Sequence, residues 1–320
     1  VAHTAQTQPV GVLAALSTGF DMVTRQLWLL ALPVGLDLFL WLGPRLNAAG
    51  LWSLFQFAIP PGLDAQTRLF AQDLQVTARQ AIESANWFGG LRPLLFGVPG
   101  LVSDAGAALP DGSRPIEWVL ASPVVFFAVL LALMAIGVGL GGLYWSLIAR
   151  QVRDGRIDWA AALGRMSEVW PKLIGQALIL IGLALLIWLL AAALSLALGA
   201  ASGLLGALVV MLALSLLIWL LFYLSFSVHG VVLYNQSVIE AMRASIWLGR
   251  AHFAPTLGLL CAVIAVEWGM RLIWNLAPSD SWLWAISIGG NAFVVAGLST
   301  ATVVYYADRV PIPRSTLAET

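Results

Sequence analysis

Six apolar runs divide the chain, at about 26–43, 122–148, 174–198, 204–229, 256–276 and 282–305. Each is near or above the roughly 20 residues that a helix needs to cross a bilayer core. Ahead of runs one, three and five the pattern changes to apolar residues at every third or fourth position. Leu13, Leu16, Phe20, Val23 and Leu27 make one helical face, and Trp159, Leu163, Met166 and Trp170 make another. These stretches predict amphipathic helices on the membrane surface over 1–25, near 157–170 and near 237–250, each feeding a span. Pro171 and Pro255 fall where a helix can start without needing an N–H. AALSTGFDMVTRQLWLLALPVGL, AALGRMSEVWPKLIGQALILIGL and EAMRASIWLGRAHFAPTLGLLCA resemble one another, which predicts a threefold repeat of interfacial helix plus two spans.

The segment 44–121 between the first two runs follows a different pattern. DAQTRLFAQDLQVTARQAIESANWF is helical, with Leu69 or Phe70, Leu74, Ala78, Ala81 or Ile82 and Ala85 on one face. Asp64–Arg68 and Arg79–Glu83 have (i, i+4) spacing. The following GGLRPLLFGVPGLVSDAG is strongly apolar yet broken by Gly and Pro, so it is not a straight helix. Three placements fit it: dipping into the outer interface, capping the bundle beside a cavity, or packing beneath the 64–88 helix. Ser122-Pro123 is a helix start for the second span.

Composition agrees with the pattern. The chain is 60% hydrophobic and 10% charged, with 15 Trp. That leaves too little polar surface to coat a soluble globule. Sixteen basic and 16 acidic residues cancel, so the charge pattern offers nothing to nucleic acid. The first run could be read as a signal peptide. Only Arg25 precedes it as a basic residue and LNAAG is a poor cleavage site, so it is expected to span.

The short loops set orientation. Arg150, Arg153, Arg156, Arg165 and Lys172 follow the second span, Arg243 and Arg250 the fourth, and Arg309 and Arg314 the last. LALGAASGLLG and NLAPSDSW carry no Lys or Arg. Both termini, the 311–320 tail included, are therefore expected in the cytoplasm and 44–121 outside. The five arginines of 44–121 count little, because long translocated segments escape the rule. The expected fold is an all-α integral membrane protein of six transmembrane helices. Juxtamembrane amphipathic helices and a mainly helical extracytoplasmic insertion between helices one and two complete it, with 122–310 as the TM2–TM6 bundle.

The last span closes in TATVVYYADRVP. With the amphipathic, Trp-bearing and basic junctions, this ending resembles a family of uncharacterised six-helix bacterial membrane proteins. They are grouped with the membrane region of glycerophosphoryl diester phosphodiesterases. The matching residues are Tyr305, Tyr306, Asp308 and Arg309. The resemblance implies the bundle and a bacterial cytoplasmic membrane. It implies no activity, since the catalytic barrel of the enzymes that name the family has no counterpart here. The motif itself reads as an interfacial anchor, with Tyr305 and Tyr306 at headgroup level and Arg309 facing the cytoplasm.

Catalytic patterns are missing from the sequence. His3, His229 and His252 are scattered, Cys261 is alone, and neither a G-x-S-x-G elbow nor a P-loop is present. No cofactor or metal is expected. GVGLGG lies within a span, so Gly137 and Gly141 read as a GxxxG helix-packing seam; Gly199–Gly203 is a weaker example. What remains is an intramembrane polar layer of Asp37, Glu267 and Arg271. These lie about 9, 14 and 8 Å inside the outer helix ends. Unpaired, each would cost several kcal/mol. Glu267 precedes Arg271 by four, the favourable order, and Asp37 is a second acceptor for that guanidinium. Asn291, Ser299, Thr300, Thr302, Tyr223, Ser225 and Ser227 are further polar partners. Pro33 and Gly35 are placed to kink helix one beside Asp37.

Two readings of the layer follow: a structural pair with Arg271 snorkelling outward, or a substrate or proton site. The expected function is a noncatalytic scaffold, accessory subunit or lipid-interacting bundle, partnered by the bilayer and by other membrane proteins. A transporter or permease using the layer is the alternative, and a membrane-embedded lipid enzyme the third.

Overall fold

The computed structural model describes residues 10–52, 65–93, 95–102, 109–155, 159–199 and 202–311. Asp64, His3, Arg156 and Arg314 lie outside these residues. Five helices are long and apolar enough to cross a membrane, or up to six if one bent pair counts as a single span. Strand among the described residues is confined to one two-stranded sheet. The protein is thus all-α and membrane-like, as the apolar runs predict.

In chain order the helices are α1 Val12–Arg25, α2 Ala31–Leu42, α3 Ala65–Ser84, α4 Pro123–Asp154, α5 Trp159–Gly164, α6 Met166–Gly199, α7 Gly203–Leu224, α8 Ser227–Tyr234, α9 Val238–Ala251, α10 Phe253–Trp274 and α11 Leu283–Arg309. A short helix precedes two long ones in α5, α6 and α7 and again in α9, α10 and α11; at the start of the chain α2, at 12 residues, is no longer than α1. The second short helix is cut down. The break falls at Arg165 rather than at Pro171, which sits inside α6.

The first apolar run is a special case. The helix breaks at Gln26 (φ −136°, ψ 70°), and a 3-10 turn, Leu27–Leu30, leads into α2. The 16 residues of Leu27–Leu42 count as a span only together with α1. Pro33 lies in the first turn of α2, where its missing N–H is one that no helix could satisfy. It therefore helps start the helix instead of kinking it. Pro33, Leu36, Asp37, Leu40 and Trp41 form the buried face, spaced three and four apart.

Burial separates the long helices. Only 11% of the most apolar window of α6 is buried, against 78% for α11. α6 and α7 are apolar all round, the composition that lipid tolerates on every side. α11 carries Ser287, Asn291, Ser299, Thr300 and Thr302, all buried. Polar groups at that depth are costly in hydrocarbon, so the least apolar span is the one surrounded by protein.

The chain forms two compact units. One comprises Val1–Leu27, Gly142–Val266 and Ala296–Thr320; the other comprises Trp28–Gly141 and Glu267–Val295. In the first, α1 lies on α11 through Gly19, where a Cβ would come within 2.6 Å of both the Gly297 carbonyl and the Ala301 nitrogen. Ser245 Oγ donates to Tyr223 O (2.7 Å) and accepts from Phe226 N (3.2 Å), stitching α9 to the break between α7 and α8. Asn235 ends α8 in the left-handed region (φ 53°), and Lys172 Nζ donates to its carbonyl (2.8 Å) and side-chain oxygen (2.6 Å).

In the second unit, β1 (Arg45–Asn47) pairs in parallel with β2 (Glu117–Val119), Leu46 opposite Trp118. Asn86 Oδ1 accepts from both Leu46 N (3.1 Å) and Phe88 N (3.2 Å), tying β1 to the turn after α3. Ala48, Leu51 and Phe126 form a small core with Ile82, Trp87, Leu120 and Leu130. The Arg79–Glu83 pair closes at 2.8 Å. The inward face of α3 is carried by Ala71, Gln75, Ala78 and Ile82, while Leu69 and Leu74 are exposed.

Candidate functional site

Among the described residues the second unit contains one buried charge pair, and its cation is not the one that the spacing pointed to. Asp37 is fully buried on the inner face of α2. Its Oδ1 accepts from Arg92 Nη2 at 2.6 Å and from Val102 N at 2.8 Å; its Oδ2 accepts from Leu101 N at 2.9 Å. Arg92 Nη1 donates to Val102 O at 2.9 Å. Side-chain exposure is 14% for Arg92 and 0% for Asp37, so the pair is shielded from solvent. One carboxylate thereby folds an irregular segment, 91–102, around itself.

Glycines make that folding possible. At Gly100 a Cβ would fall on the Arg92 guanidinium and 2.8 Å from Asp37 Oδ2. Gly137 and Gly141 of α4 face the same segment. A Cβ on Gly137 would lie 2.5 Å from Leu91 O, and one on Gly141 would strike the Phe96 carbonyl. The GxxxG seam therefore seats irregular backbone, not a second helix. Small residues bring any backbone close, and here the partner is the segment held by Asp37. Gly141 is 18 residues into a 32-residue helix, about 27 Å from its start. Leu95, at φ 68°, adds a strained left-handed residue to the segment.

Arg271 meets the same segment from α10, with Glu267 one turn before it. Arg271 Nη2 lies 3.4 Å from Glu267 Oε1 and donates to Gly100 O at 3.1 Å. Their side chains are 32% and 40% exposed. Asp37 and Arg271 thus both bond to this segment, Glu267 pairing only with Arg271, and Arg92, not Arg271, is the guanidinium bound to Asp37. Arg92 was legible as the single basic residue in an apolar Gly/Pro-broken run. Such a charge needs a carboxylate, and no helical periodicity connects it to one.

Four of the polar residues proposed as partners bond to backbone of their own helices or turns instead. Thr300 donates to Ala296 O (2.8 Å), Thr302 to Ser299 O (2.7 Å), Ser225 to Phe222 O (2.9 Å) and Ser227 to Leu224 O (2.5 Å). Both side-chain polar atoms of Asn291 are buried without a partner among the described residues.

The ending of α11 does not form a surface anchor. Tyr305 and Tyr306 are fully buried. Tyr305 OH pairs with Thr256 Oγ1 at 2.9 Å, and the Arg309 guanidinium lies 3.7 Å over the Tyr305 ring. Arg309 Nη2 donates to Val10 O (2.7 Å), while Asp308 Oδ2 accepts from Val10 N (2.8 Å). An anchor needs rings at the lipid boundary; these rings pack inside, and the charged pair clamps the backbone leading into α1.

No group of three or more His, Cys, Asp or Glu able to hold a metal occurs among the described residues. His229 Nε2 pairs with Thr302 Oγ1 at 3.0 Å, and Cys261 is exposed on α10. Comparison with family models, curated proteins and solved structures found no match to the chain.

Proposed function

We propose that the protein is a noncatalytic multi-pass protein of a bacterial cytoplasmic membrane, acting as a lipid-interacting scaffold or accessory subunit. The observation that carries this reading is the occupancy of Asp37. Both its oxygens are used by Arg92 and two backbone amides, and it is 0% exposed. A carboxylate held in this way builds structure and is not available to a substrate. The all-round apolar α6 and α7 support the same reading, since they offer wide surfaces to lipid or to partner helices.

In this reading six spans cross the membrane, Leu27–Leu42 being the first, with both termini cytoplasmic and 44–121 outside. Segment 91–102 is then re-entrant, entering from the outer side and seated on the middle of α4. Irregular backbone at membrane depth is tolerated where protein buries it, as Gly137, Gly141 and Asp37 do here. The likeness of TATVVYYADRVP to the six-helix bacterial family belongs to this reading too.

Native mass spectrometry of the protein extracted with its surrounding lipid tests it. A stable complex with other membrane proteins or retained lipids is expected. A lone, lipid-free chain in mild detergent would overturn it.

A transporter is the second reading, favoured by one contact. Arg271 is partly exposed yet bonded to Gly100 O, next to the Leu101 amide that holds Asp37. Ion or solute uptake by proteoliposomes that Asp37→Asn abolishes would select it over the scaffold.

A further inference from the structure

In the first compact unit, guanidiniums gather where α4 ends and α5 gives way to α6. Arg150 Nη2 donates to Ala161 O at 3.2 Å, and the Arg165 backbone N donates to the same carbonyl at 3.4 Å. The end of α4 and the α5–α6 break are thereby tied together. Arg153 lies close enough for its charge, like that of Arg150, to act on Arg165. Burial, then Arg153 and Arg150, push the Arg165 guanidinium below its ordinary value, against a smaller pull from Glu168 and Asp154.

Both of those carboxylates are engaged elsewhere. Arg153 Nε and Nη2 donate to the two oxygens of Asp154 at 2.8 and 3.1 Å, and Asn235 Nδ2 donates to Glu168 Oε2 at 2.8 Å. The Arg165 side chain makes no hydrogen bond or ion pair among the described residues. Arg150 Nε is sealed off without a partner, but no nitrogen of the Arg165 side chain is, so a ligand can reach this fork. A half-buried guanidinium beside two more cations is costly to hold without an anion, and its planar fork matches phosphate. Leu163 and Trp170, on either side of Arg165 in the chain, are exposed apolar side chains. Exposed Leu and Trp beside a cation are what an amphipathic helix presents to an anionic bilayer surface.

We propose that this patch binds the phosphate of an anionic phospholipid, seated on Arg165 with Arg150 and Arg153 alongside, its chains against Leu163 and Trp170. Basic clusters at the cytoplasmic ends of spanning helices take such headgroups. The assignment rests on the membrane reading above, in which the α5–α6 break lies at the inner bilayer surface. Free phosphate shares the headgroup chemistry but has nothing to place on Leu163 and Trp170.

Native mass spectrometry of the full chain, released from nanodiscs of equal phosphatidylglycerol and phosphatidylcholine, tests it. Phosphatidylglycerol should be retained about tenfold over phosphatidylcholine, and Arg165→Gln should remove most of that preference. Arg165→Lys, which keeps the charge and loses the fork, should lose less. Arg250→Gln removes an exposed cation from α9 and should leave the preference unchanged. Circular dichroism checks that each variant stays folded. Equal retention of the two lipids, a preference unchanged in Arg165→Gln and Arg165→Lys, or an equal loss in Arg250→Gln overturns the proposal. In detergent, calorimetry with inorganic phosphate should show no saturable binding; phosphate binding that Arg165→Gln abolishes, without a lipid preference, would also overturn it. Impermeant labelling of Ser167→Cys, an exposed position, in a Cys261→Ala background reports sidedness separately. Lipid preference in nanodiscs does not depend on sidedness, so failure of the topology and failure of the site are distinguishable.

Discussion

Arg92→Met tests whether one ion pair holds the irregular segment in place. The substitution keeps an apolar stem of similar length and deletes the guanidinium. Asp37 would stay fully buried, losing the 2.6 Å contact to Arg92 and keeping the Leu101 and Val102 amides. Removing one partner of a buried pair costs about 3–5 kcal/mol, because the other charge is left uncompensated. Two retained N–H donors place this case near the lower end, at about 3 kcal/mol, or roughly a hundredfold in the folding equilibrium. Asp37→Leu should cost a similar amount through the orphaned guanidinium and amides. The double variant removes both charges, so its loss should fall short of the summed single losses by about 2 kcal/mol. Reversible unfolding in mixed micelles, followed by tryptophan fluorescence, measures all four species. Hydrogen exchange at the Leu101 and Val102 amides reports the segment itself, and both should lose protection in Asp37→Leu. Singles that add to within about 0.5 kcal/mol, or amides as protected as in the native chain, would refute the latch.

Other predictions probe the seats and caps around it. Gly141→Ala should destabilise by about 1–3 kcal/mol, because its Cβ meets the Phe96 backbone, which cannot swing away as a side chain can. Gly182→Ala, with open space around it, should be neutral or slightly stabilising in the same unfolding assay. Tyr305→Phe removes the bond to Thr256 Oγ1 and should cost about 1–2 kcal/mol, read as a lower melting temperature. At the start of α9, hydrogen bonds from the Ser237 side chain and backbone hold the Glu240 carboxyl below its ordinary value. A depressed carboxyl stabilises above its unfolded pKa, about 4.3, and loses that contribution as pH falls through its folded value. The protection of amides at the α9 N-terminus, relative to their intrinsic exchange rates, should therefore fall on acidification below about pH 4.3, and Glu240→Gln should flatten that response.

The sequence by itself determined the class of fold and where its long helices lie. Apolar runs in α4, α6, α7, α10 and α11 are long enough that hydrophobicity alone specifies helix in a bilayer, whatever their neighbours. Ser122-Pro123 was legible because its partner lies within four residues, whereas the Ser237–Glu240 box at the start of α9 was seen only in the structure. Local breaks were less so. The α5–α6 junction falls at Arg165, and Pro171, the sixth residue of α6, lies inside the helix instead of at its start.

Only the tertiary structure decided what the polar residues do. Asp37 finds its cation 55 positions away, in a segment with no period to betray its direction. Gly137 and Gly141 carry the spacing of a helix-packing seam, yet spacing specifies closeness and not the partner. Tyr305, Tyr306 and Arg309 read as an interface motif because composition cannot tell a ring facing lipid from one facing Thr256 and Val10. β1 and β2 are three residues each, too short for alternation to register, and pair only because 45–47 and 117–119 are brought together. Burial and pairing depend on which surfaces meet, and that is settled by contacts between distant positions, not by the order of residues along one helix.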